Sequence, residues 1–74
     1  MPVEKDGQIE YWLALIQELV YEIKDTRSNQ EKLDEARDLE TQIQERIDAE
    51  NLGEEYSIDV ITRVRNLIDI LKKK

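Results

Sequence analysis

Apolar residues recur along this chain at steps of three and four, and the recurrence is interrupted twice, around Thr26–Asn29 and around Asn51–Gly53. At 100° per residue that spacing gathers side chains on one face of a helix, whereas a strand needs alternation at two. The pattern therefore predicts three amphipathic helices and an all-α fold. In the first, Ile9, Trp12, Leu13, Ile16, Leu19, Val20 and Ile23 share one side, with Tyr11 and Leu15 widening its flank and Glu10, Glu18 and Asp25 facing water. A stripe that broad suits a helix touching two neighbours. The helix is expected over residues 6–25.

The second segment opens on Ser28-Asn29-Gln30-Glu31, a capping-box pattern in which the serine oxygen accepts from the amide three residues on and the glutamate reaches back. Leu33, Ala36, Leu39, Ile43 and Ile47 form a narrower stripe, and Asn51-Leu52-Gly53 supplies a left-handed stop with glycine as its expected carrier. This helix is expected over 29–51. The third carries Val60, Ile61, Val64, Leu67, Ile68 and Leu71 on one side, with Ser57 as N-cap and Tyr56 and Ile61 spaced as a hydrophobic staple, and is expected over 57–72. Its β-branched residues repeat at three and four, so helix prevails over strand. Connections this short make sequential helices antiparallel, which gives an up-down-up three-helix bundle forming a single domain over residues 1–74.

With 74 residues there is room for one small core and no second domain. The chain has no cysteine and no histidine, which removes disulfides, a thiolate nucleophile and the usual zinc ligands. Eighteen acids against eleven bases give a net charge of −7, a sign that repels phosphate backbones and disfavours nucleic acid. Charge is uneven: residues 29–53 hold eight acids and three bases, residues 54–74 four acids and five bases, so helices 2 and 3 are expected to attract one another. The polar start Met1–Gly7 lacks the apolar core of a signal peptide, and the longest apolar run is Trp12–Ile16; a soluble, intracellular-type protein is expected, without membrane contact.

Candidate sites are few. Asp48, Glu50, Gly53, Glu54 and Asp59 fall at positions 1, 3, 6, 7 and 12 of a helix-loop-helix calcium window, but Leu52 at position 5, Glu55 at position 8 and the short Asp59 at position 12 depart from it. The window reads better as a helix stop followed by an acidic first turn. Carboxylates four apart (Glu18 with Glu22, Glu31 with Glu35, Asp34 with Asp38) read as solvated helical surface, since bundle metal sites pair inward glutamates with histidines. Ser28 and Ser57 read as caps with no base beside them, and the lysines lie off the apolar stripes. No catalytic residue, metal ligand or cofactor is expected. Tyr11, Leu15 and Tyr21, with the outlying Ile58 and Ile70, are the residues that would mark a partner surface, because tyrosine buries area at low entropic cost.

The absence of histidine, cysteine and phenylalanine, Ser-x-x-Glu and Asn-Leu-Gly as helix punctuation, the compact connections and the closing Lys72-Lys73-Lys74 resemble a de novo designed helical bundle. The like-charge pairs of helix 2, Asp48 and Glu50 near its negative end, and the mixed stretches Thr26–Asn29 and Thr62-Arg63 depart from an idealised design and look like natural helical fragments that were joined and repacked. The resemblance implies a monomeric scaffold with no activity and no required partner. The alternative, from another class, is a natural interaction module that docks a protein or a second copy through Tyr11, Leu15 and Tyr21.

Overall fold

The computed structural model describes residues 5–74, so Met1–Glu4, and with them most of the polar start, lie outside the described residues. Among the described residues there are three helices and no strand: α1 Gly7–Tyr21, α2 Asn29–Glu50 and α3 Glu54–Lys73. At 1.5 Å per residue they are about 22, 33 and 30 Å long. Each packs on the other two, and the radius of gyration is 12.7 Å. Asp6 at the start of α1 meets Arg46 near the end of α2 and Tyr56 at the start of α3. Val20 and Asn29 meet Lys74 at the opposite end. Thus α1 and α3 run parallel and α2 returns between them, the up-down-up order that the short connections imply.

The stripes of the three helices converge as their spacing requires. Ile9, Leu13, Ile16, Leu19 and Val20 of α1, Ala36, Leu39 and Ile43 of α2, and Tyr56, Val60, Val64, Ile68 and Leu71 of α3 form one buried cluster, with Trp12, Leu15, Leu33, Ile47, Leu52 and Leu67 packed partly buried against it. Among the described residues no buried side-chain nitrogen or oxygen lacks a partner. Burial among the described residues therefore carries no orphaned polar side chain to offset it.

The ends of the helices differ from the sequence expectation in three places. First, α1 stops at Tyr21 instead of continuing to 25, because Glu22 turns to extended backbone with ψ 115°. The amide of Lys24 then turns to the Glu22 carboxylate and that of Arg27 to the Asp25 carboxylate. Ile23, expected in the core stripe, is consequently 92% exposed. Second, the left-handed residue that ends α2 is Asn51, with φ 51°, and not Gly53. The Leu52 amide reaches back five residues to the Ile47 carbonyl, and Leu52 folds against the core, as a Schellman-type stop does.

Third, α3 begins at Glu54 instead of 57. Gly53 is its N-cap, without a side-chain cap bond, and Ser57 sits inside the first turn, where its hydroxyl donates to the Gly53 carbonyl. The staple expected from Tyr56 and Ile61 is therefore absent from its place before the helix, since Tyr56 is itself helical and buried. At the start of α2 the serine half of the capping box holds, the Ser28 hydroxyl accepting from the Glu31 amide at 3.2 Å, while the Glu31 carboxylate makes no return bond to the Ser28 amide.

Candidate functional site

The largest gathering of polar side chains lies where α1 begins, α2 ends and α3 begins. Asp6 is the N-cap of α1 and accepts from the amides of Gln8 (2.9 Å) and Ile9 (3.0 Å), two of the donors that the first helical turn leaves open. The same carboxylate accepts from Arg46 Nε with both oxygens at 3.0 Å, although the two residues are forty positions apart. Tyr56 closes the group from α3: its hydroxyl accepts from the Asp6 amide at 3.1 Å and donates to Glu10 Oε2 at 2.8 Å. Arg63 stands 3.7 Å from Glu10 and 3.4 Å from Asp59, and Arg46 stands 3.8 Å from Glu50.

The electrostatics follow from these contacts. The Arg46 guanidinium, helped by the backbone amides of Ile9 and Gln8, holds the Asp6 carboxyl below the usual carboxylate range against the opposing push of burial. Arg46 is in turn held more firmly protonated by Asp6. Burial, and then the Glu10 carboxylate that its proton is bonded to, push the Tyr56 phenol up to about 12. The result is a cross-helix joint in which every group is engaged: a carboxylate with three donors on it, and a phenol that both gives and takes a hydrogen bond.

A second gathering holds the other end. The Lys74 ammonium is bonded to the Val20 carbonyl and lies 5.5 Å from the centre of the Tyr21 ring, while the Lys74 carbonyl accepts from Asn29 Nδ2 at 2.8 Å. A cation at the last carbonyls of α1 complements that helix's negative end. Beside it, Arg27 clamps Asp25 with its Nε and one terminal nitrogen and reaches Glu35 with the other at 2.9 Å. That pairing, together with the Arg27 amide, draws the Asp25 carboxyl down to about 2, and Arg27 is held more firmly protonated.

The residues singled out from the sequence are placed as follows. Tyr11 and Tyr21 are exposed at 59% and 54%, whereas Leu15 is half-buried against the core. Around α1, Leu15 and Tyr21 are about 120° apart and about 9 Å along the axis, on opposite flanks of the outer face. Leu15 borders a hollow shared with Asp25, Arg27 and Glu35, and Tyr21 borders a shallow one of about 360 Å³ with Ala14, Gln17 and Glu18. The three are therefore not brought together as one patch. Ile58 and Ile70 are exposed on α3.

The calcium window does not form a loop. Only residues 51–53 are non-helical, Glu54 and Asp59 already belong to α3, and Glu50 and Asp59 face Arg46 and Arg63. Among the described residues no group of three or more acidic side chains converges as a metal site would need. Of the carboxylate pairs, Glu35 is taken up by Arg27 and Asp34 accepts from Gln30, while Glu22, the C-cap of α1, has its carboxylate on the Lys24 amide. Arg37, Glu40, Arg65, Asp69 and Lys72 mix along the groove between α2 and α3, yet among the described residues no ion pair crosses it. The attraction expected between those helices forms no close pair; Arg46 and Arg63 pair across to Asp6 and Glu10 of the α1 end instead.

Sequence reasoning placed Glu10 in water and Tyr56 before the helix, and so missed the joint. The available signal was Asp6, an N-cap residue one position before Gly7 that also needed a cation, and Arg46, the one base in the last third of α2. Compared with protein-family models, with curated proteins and with solved structures, the chain matches none of them.

Proposed function

We propose that this chain is a de novo designed folded scaffold, assembled from natural-like helical fragments and carrying no catalytic activity of its own. The observation that supports this reading is the commitment of its polar groups. Asp6, Arg46, Tyr56 and Glu10 are bonded to one another and to the backbone around the start of α1, in the manner of a structural joint. A general acid or base needs a lone pair or proton facing a substrate, and these face their neighbours. The matching of Asn51, Ser28 and Asp6 to the helix ends they occupy also fits a sequence chosen for its fold.

The test is thermal unfolding followed by far-UV circular dichroism at two chain concentrations about a hundredfold apart. A scaffold that needs no partner gives the same midpoint at both. A midpoint that rises with concentration supports the second reading, a homo-oligomerising or partner-docking module, because association stabilises by mass action. The exposure of Tyr11 and Tyr21 favours that alternative. Under it, changing both to serine abolishes the concentration dependence and leaves the core untouched.

A further inference from the structure

Ile23 presents a contradiction between pattern and placement. Were α1 to continue, Ile23 would point between Leu19 and Val20, about 40° from one and about 60° from the other, into the face that is otherwise buried. Instead it is the most exposed of the large apolar side chains, at 92%. The next hydrogen bonds of a continuing helix would run from the amide of Ile23 to the Leu19 carbonyl, from Lys24 to Val20 and from Asp25 to Tyr21. In the structure the Val20 carbonyl holds the Lys74 ammonium, and the Lys24 amide has gone to Glu22 Oε1 at 3.0 Å. Lys74 thus stands on the acceptor that the next helical turn requires.

We propose that the end of α1 is a two-position terminus, and that Lys74 holds it in the short form. In the long form the helix winds through Asp25, Lys24 donates to Val20, and Ile23 turns from solvent to the core face. The connection permits this. Winding through Asp25 leaves Thr26, Arg27 and Ser28 to reach α2, and three residues, 51–53, already suffice to join α2 to α3. Lys74 holds the short form through three contacts: its ammonium on the Val20 carbonyl, the seat of that ammonium over the Tyr21 ring, and its carbonyl on Asn29, which ties the end of α3 to the start of α2. The groups facing the ammonium are thus a carbonyl and a ring from α1. The device responds to the charge of one lysine.

Lys74→Gln is the discriminating variant, since it removes the cation and keeps the backbone carbonyl that Asn29 holds. In the native chain the amides of Ile23 and Asp25, beyond the end of α1, should exchange quickly with solvent. In the variant, the amides of Ile23, Lys24 and Asp25 should exchange at least about tenfold more slowly, with their Cα chemical shifts moving to helical values. Adding Ile23→Ser to that variant should reverse both changes, while Ile23→Ser alone should alter neither. Unchanged exchange in Lys74→Gln, or fraying that spreads to Val20 and Tyr21, overturns the proposal. So does winding that persists undiminished when Ile23 is serine, since the core-facing isoleucine would then not be what draws the turn inward.

Discussion

Replacing Tyr56 with phenylalanine removes one oxygen and keeps the buried ring. That oxygen joins two helices: it donates to Glu10 at 2.8 Å and accepts from the Asp6 amide at 3.1 Å. A hydrogen bond to a charged group contributes about 1.5–3 kcal/mol when shielded. Glu10 is 30% exposed and can recruit water, so the low end applies. The half-buried Asp6 amide, left without its acceptor, adds about 1 kcal/mol. Tyr56→Phe should therefore destabilise the bundle by about 2.5 kcal/mol, a fall of roughly 10–20 °C in Tm for a domain of this size. Urea unfolding followed by Trp12 emission measures it, and the slope with urea should not change, since the same surface is exposed.

A companion measurement is the alkaline limb. A phenol held at about 12 in the folded state favours its protonated form there, so the associated stability is complete below pH about 10 and is lost as pH rises through about 12. The phenylalanine variant should lack that loss. A destabilisation under about 0.5 kcal/mol, the size of an ordinary surface substitution, together with an unaltered alkaline limb, would refute the account of Tyr56 as the pin of the joint.

Other expectations concern the core, the helix ends and acid. Ile16→Ala, at a fully buried position, should cost about 2–5 kcal/mol, whereas Ile23→Ser should change stability by less than about 0.5 kcal/mol; urea titrations of the two variants compare them directly. Asn51→Val forces a β-branched residue into a left-handed conformation and should cost about 1–2 kcal/mol. Gly53→Ser, by contrast, gives α3 the side-chain cap it lacks and should add a few tenths of a kcal/mol, visible as a small rise in Tm. The lowered carboxyls of Asp25 and Asp6 favour their ionised forms when folded. Their contribution is complete above pH about 4 and declines as pH falls, for Asp25 through about 2, so an acid titration by circular dichroism should show Asp25→Asn losing less on the way down.

The three helices and nearly all of their core were legible because periodicity is a local property: the direction of Leu13, Ile43 or Val64 follows from counting along its own helix. The second helix's start was legible for the same reason, since Ser28 and Glu31 are neighbours. What escaped detection depends on partners distant in sequence. The end of α1 is set by Lys74, fifty-four positions from Val20, and the joint at its start by Arg46 and Tyr56, forty and fifty positions from Asp6. Glycine was the expected left-handed residue at the end of α2, but Asn51 takes that conformation and lets the Leu52 amide reach Ile47.

The division of the core among the helices bears on how the chain reaches this structure. The longest helix, α2, supplies three buried side chains, one of them an alanine, while α1 and α3 supply five each. The hairpin of α2 and α3 closes over a three-residue connection, and α2 brings only three of the buried side chains to it. The two helices that supply most of the buried side chains, α1 and α3, are separated by residues 22–53. Closing that longer loop first costs about 2 kcal/mol more than closing the short one. Each helix packs on the other two around one shared cluster, so any two helices leave part of that core uncovered and make no stable half-product. Folding should proceed in one kinetic phase, with all three helices docking in the same barrier crossing and no populated intermediate on the way.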